Sequence, residues 1–80
     1  MLKLKIVSPE RIEYDGEVVS VTVPGTAGSF EILNDHAPII SSLDSGIVEY
    51  ATASEKKQLP IKGGFVEVQK NQVSLCVELN

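Results

Sequence analysis

The sequence predicts an all-β protein, a small two-sheet β-sandwich or flattened barrel of about nine to ten short strands, in one domain over residues 1–80. Apolar residues alternate with polar ones in short runs, and no window repeats them at i, i+3, i+4 and i+7 over helical length. The apolar fraction of 42% is mostly Val, Ile and Leu, and that β-branched bias suits a pleated surface. Turn residues interrupt the chain at short intervals.

The first strand places Leu2, Leu4 and Ile6 on one face and Lys3 and Lys5 on the other. Pro9, which cannot donate to a ladder, ends it. Arg11 to Tyr14 leads into Asp15-Gly16, the strongest hairpin signal in the chain. Glu17 to Val23 reads as the next strand, with Val19, Val21 and Val23 on one side. Pro24 to Gly28 is a turn, Ser29 to Leu33 a short strand, and Asn34 to Pro38 a stiff polar loop. Strands at Ile39–Leu43 and Ile47–Thr52 flank the turn Asp44-Ser45-Gly46. A charged connection from Ala53 to Lys57 precedes an extended stretch from Gln58 to Lys62. Gly63-Gly64 marks a bend, a bulge or the close approach of another backbone. Phe65 to Gln69 and Gln72 to Leu79 are joined by a tight Lys70-Asn71 hairpin.

The 80-residue length allows one domain with a thin core, so a stabilising partner would matter. A net charge of −4 argues against nucleic acid, whose phosphates call for clustered Lys and Arg, and against direct binding to an anionic membrane. Met1 leads straight into an alternating strand, so neither a secretory leader nor a membrane span is expected, nor an organellar import segment. The single cysteine, Cys76, forbids an internal disulfide and fits a reduced compartment. It lies opposite the Val73, Leu75 and Val77 face and reads as a small apolar filler rather than a reactive thiol.

No catalytic constellation is visible. One His and one Cys, far apart, do not make a metal site. Asp35 and His36 read as residues of an exposed loop, not an acid–base pair. Gly25-Thr26-Ala27-Gly28 is not followed by the Lys of a phosphate loop, so it reads as turn geometry, and no cofactor is expected. The alternative is a biotinyl- or lipoyl-type carrier module, with Lys70 as the hairpin-tip lysine, although no Met flanks it.

Three stretches are more specific together. They are Ile6 to Glu10; Val23-Pro24-Gly25-Thr26-Ala27-Gly28-Ser29-Phe30-Glu31-Ile32-Leu33-Asn34-Asp35-His36-Ala37-Pro38-Ile39-Ile40; and Gly63-Gly64-Phe65-Val66-Glu67-Val68. In this order and spacing they resemble the N-terminal β-sandwich of the epsilon subunit of F-type ATP synthases, over essentially the whole chain. The resemblance implies a non-catalytic subunit of the rotor's central stalk, packed on the gamma subunit and seated on the polar loops of the c-ring. Its membrane association would be indirect, on the cytoplasmic face of the bacterial inner membrane, coupling proton-driven rotation to ATP synthesis. By the same resemblance, Ser8, His36, Ser41, Lys62, Glu67 and Ser74 face gamma, while Ser29, Phe30 and Glu31 face the c-ring. Ser29 stands where many members carry an acidic residue, and Lys62 where small residues are common. Members of the family continue into a C-terminal helical hairpin that can inhibit hydrolysis and, in some, bind ATP. Here the sequence stops at Leu79-Asn80, so the expectation is a short form with neither activity.

Overall fold

The computed structural model describes residues 1–79 and contains nine strands in that span. They are β1 (Leu2–Val7), β2 (Ile12–Val18), β3 (Ser20–Gly25), β4 (Gly28–Ile32), β5 (Ile39–Leu43), β6 (Gly46–Ala51), β7 (Lys56–Ile61), β8 (Gly63–Gln69) and β9 (Gln72–Glu78). Each pairs with a sequence neighbour or closes a longer loop, in the order β2-β1-β9-β8-β5-β3-β6-β7, with β4 added on β3. The sheet curls on itself. A wall of five strands, β2-β1-β9-β8-β5, meets a wall of four, β4-β3-β6-β7, through the single pair Gly25–Leu43. Thr26 N–H to Ser42 O (3.1 Å) and Asp44 N–H to Pro24 O (2.8 Å) tie the same corner.

The alternation read from the sequence sets the inner faces. Leu2, Leu4 and Ile6 of β1, Val66 and Val68 of β8, and Val73, Leu75 and Val77 of β9 are buried. Val21, Val23, Ile32, Val48, Tyr50 and Ile61 close over them from the other wall, in one hydrophobic cluster. Full burial of each Val, Leu or Ile side chain contributes about 1.5–3 kcal/mol. β9 lies between β8, which it meets antiparallel, and β1, which it meets parallel from Lys3–Gln72 to Val7–Cys76. The first and last strands are thus stitched at the centre of one wall.

The Asp15-Gly16 hairpin does not form. Both residues lie within β2, where Asp15 pairs with Lys5 and Gly16 with Leu4, and neither has a positive φ. The turn falls earlier, at Ser8 to Arg11, where Ser8 N–H donates to Arg11 O at 2.9 Å. Gly16 instead lies under the Tyr14 side chain. A Cβ there would meet the Tyr14 hydroxyl at 3.0 Å, because the Tyr14 ring folds back over it to lie 4.7 Å from the Tyr50 ring.

Val19 does not share a face with Val21 and Val23. It is 47% exposed, while Val18 and Val21 are buried. The chain crosses from one wall to the other at this point, and the crossing shifts the phase of the alternation by one residue. Pro24 and Gly25 end β3 rather than following it, which leaves Thr26-Ala27 as the two-residue turn into β4. β7 begins at Lys56, inside the stretch read as a charged connection. Lys70-Asn71 turns as expected, with φ of 51° and 59°.

Candidate functional site

Pleating leaves a second face on the five-stranded wall, and the registers define its rows. Ser42 stands opposite Phe65, Phe65 opposite Cys76, and Cys76 beside Val7. The next row runs Ile40, Glu67, Ser74, Lys5, Asp15. A third places Gln69, Gln72, Lys3 and Glu17 together. One end of the face is therefore apolar and the other charged. Ile40 is 74% exposed and Phe65 48%, large values for apolar side chains on a sheet face.

Of the residues expected to face gamma, Glu67 and Ser74 are brought directly opposite one another in the second row. Ser41 sits on β5 beside Val66 with inward parity; it is half-buried, and its hydroxyl donates to Ser42 O at 3.0 Å. Lys62 follows β7 at the Gly63 end of the wall, where its N–H donates to Glu78 O at 2.7 Å. Ser8 is at that same end. Its hydroxyl reaches Glu13 Oε2 at 2.9 Å and Arg11 O at 3.2 Å. The Ser8 hydrogen bond, then that of Arg11 (Nε to Oε2, 3.1 Å), hold the Glu13 carboxyl below its ordinary pKa.

His36 lies at the opposite end. Asp35, with φ of 64°, offers its N–H to Asn71 Oδ1 at 2.6 Å, while Asn71 Nδ2 donates to Asp35 Oδ1 at 3.2 Å. Asn71 O also accepts from Lys3 N–H at 2.9 Å. This clasp fixes the loop between β4 and β5 against the β8–β9 hairpin. The six residues thus span the wall from one end to the other rather than forming one cluster.

Ser29, Phe30 and Glu31 fall on β4, which pairs only with β3. Ser29 and Glu31 are exposed, but Phe30 turns inward and packs on the core. Its ring lies over Gly25, where a Cβ would meet it at 2.9 Å, and stands 6.5 Å from the His36 imidazole. Phe30 and His36, expected on different partners' sides, are therefore neighbours. Lys70 occupies the β8–β9 hairpin tip. Among the described residues no group of three or more His, Cys, Asp or Glu could hold a metal ion. Among the described residues no helix is long and apolar enough to cross a membrane.

Cys76 was placed opposite the Val73, Leu75 and Val77 face from the sequence, but neither its row with Phe65 and Val7 nor the Asp35–Asn71 clasp was expected. Phe65 was legible, since it shares its parity with Glu67 and Gln69 rather than with Val66 and Val68. The clasp joins residues 36 positions apart and left no local signal.

The sequence matches the family described as ATP synthase, Delta/Epsilon chain, beta-sandwich domain, over residues 1–79. The chain belongs to that family. It is 44% identical over 77 residues to an ATP synthase epsilon chain of Leptospira interrogans, covering 96% of this chain and 61% of that one. It is 38% identical over 78 residues to the ATP synthase epsilon chain of Helicobacter pylori, covering 98% and 63%. The chain thus spans somewhat under two thirds of these epsilon chains. A chain of the Euglena gracilis mitochondrial ATP synthase, in a structure of its OSCP, F1 and c-ring, superposes with a TM-score of 0.89 at 24% identity, over 95% of this chain and 49% of that one. One from the central stalk and c-ring of the Tetrahymena thermophila mitochondrial ATP synthase gives 0.83 at 20%, over 96% and 63%. These likenesses establish the epsilon-type β-sandwich fold.

Proposed function

We propose that residues 1–80 act as the docking half of an epsilon subunit, a non-catalytic part of the central stalk of a proton-translocating F-type ATP synthase. The single observation that carries this reading is the family match over residues 1–79. In it, the outer face of the five-stranded wall and its two ends meet the gamma subunit through Ser8, His36, Ser41, Lys62, Glu67 and Ser74. The β4 edge, with Ser29, Phe30 and Glu31, sits on the polar loops of the c-ring. Ser41 and Phe30 act from behind, by shaping backbone and neighbouring ring, because both are partly buried. The subunit is held at the membrane through the c-ring, on the cytoplasmic face of the bacterial inner membrane.

The geometry suits torque transfer. A coupling element must not yield between its two contacts, and here β3 joins both walls while β9 is hydrogen-bonded on both sides. The loop nearest both proposed contacts is pre-ordered by the Asp35–Asn71 clasp, so little conformational entropy is lost on docking.

Co-purification of the tagged chain with a bacterial gamma subunit tests the reading. A stoichiometric complex surviving size exclusion is expected, and its failure to form would overturn the assignment. In the same preparation, co-expression with biotin and lipoate ligases should leave the intact mass unchanged; a modified Lys70 would favour a carrier role.

A further inference from the structure

We infer that the apolar row Val7–Cys76–Phe65 is the anchor of the docking face, and that it receives an apolar side chain of the gamma-type subunit bracketed by basic residues. This rests on the gamma-docking reading above and goes beyond its list of contacts.

Three observations carry it. The first is a break in pattern. On the outer face of a two-layer sheet the outward positions should be polar, yet Ser42, Phe65, Cys76 and Val7 form an uncharged row across four strands. Phe65 is half-exposed there, and Val7 and Cys76 are only partly covered.

The second is shape. The row lines an open hollow of about 410 Å³, with Pro9 at its rim and bare Gly64 backbone in its wall. Gly64 lets β8 lie close against β9 along that wall. Its φ is 149°, and a Cβ there would collide with Cys76 O and approach Val77 Cα to 2.9 Å.

The third is charge. Glu67 lies two residues beyond Phe65 along β8, and Glu78 two residues beyond Cys76 in the opposite direction. The two carboxylates bracket the hollow at roughly 14 Å by strand geometry. Among the described residues neither has a cation within ion-pair distance; the paired acids are Glu13, Glu49 and Glu55. Lys62 donates its backbone N–H to Glu78 O, but its ammonium does not reach the Glu78 carboxylate. An apolar socket between two unneutralised acids is complementary to an apolar side chain between two basic ones.

The test is affinity for the gamma subunit. Phe65→Ala should raise Kd at least tenfold, and Glu67→Lys with Glu78→Lys should do the same while removing the salt dependence of the wild-type complex. Ala53→Lys, in the β6–β7 connection of the other wall, should stay within twofold. All four sites are exposed, so urea midpoints should match wild type and exclude misfolding. Cys76, the only cysteine, gives an independent readout. Its alkylation, followed by the mass of this chain, should slow in the complex. If wild type binds gamma while Phe65→Ala binds equally well and Cys76 is alkylated at the free rate, the anchor is overturned and gamma docking stands. If wild type does not bind, the docking reading fails and the anchor loses its occupant with it.

Discussion

Gly64 shows how much one missing atom decides. Its positive φ and its contact with the β9 backbone let β8 and β9 pair at the end of the sheet, with Gly64 opposite Val77. Gly64→Ala is therefore expected to cost about 2 kcal/mol or more, read as a lower urea midpoint with unchanged slope. Gly63→Ala should be far milder, because a Cβ there meets only Leu43 O at 3.6 Å. Tyr50 supplies a pH signature. Burial is the main cause that raises its phenol pKa, opposed by Lys57 and assisted by Tyr14. The folded state holds this proton more tightly than the unfolded chain does. Its contribution is therefore complete below the ordinary tyrosine pKa and is lost as pH rises through the folded value. Urea midpoints should fall on the alkaline side of pH 10, and Tyr50→Phe should flatten that fall. Glu13 has the opposite sign. With its pKa lowered by Ser8 and then Arg11, its contribution is present above the ordinary carboxylate range and disappears as pH falls through the folded value.

Among the elements, the β8–β9 hairpin combines two tasks in Asn71. Its backbone takes the positive φ of a tight turn, and its side chain holds Asp35. Asn71→Gly separates them, since Gly accepts the same backbone but has no amide to offer. The expected outcome is a loss of about 1 kcal/mol, with faster hydrogen exchange concentrated at the Asp35 amide and around His36 while the β8–β9 ladder stays protected. Equal acceleration across both strands would show that the turn, not the clasp, depends on this residue. Local sequence signals worked well here, because Lys70-Asn71 is short and Asn71 takes a positive φ readily. They failed at Asp15-Gly16, which looks like a better hairpin than Lys70-Asn71 does. The glycine lies under the Tyr14 side chain, and β1 keeps the segment extended by pairing with it. A dipeptide states which conformations are cheap, and a partner strand decides which one is used.

At the scale of the whole molecule, the ends of the chain are structurally central. β9 supplies Val73, Leu75 and Val77 to the core and bridges β1 and β8. Removing residues 72–79 should therefore abolish the cooperative urea transition rather than lower its midpoint, as followed by circular dichroism. Retained cooperative folding would mean the remaining strands close the core without it. Because β1 meets β9 across nearly the full length of the chain, folding should also be slow for so small a protein, in the millisecond-to-second range, by stopped-flow.

The sequence by itself determined the all-β class, the position of most strands, the inward residues of β1, β8 and β9, and, through its specific stretches, the family. Each of these depends on local spacing or on residue identity along the chain. Only the tertiary structure decided that the chain changes walls at Val19, that β1 and β9 pair in parallel, that Asn71 holds Asp35, and that Phe65, Cys76 and Val7 form one apolar row. Those are relations between distant segments. A period of two states which side of a strand is apolar, but register and partner choice determine which residues end up side by side.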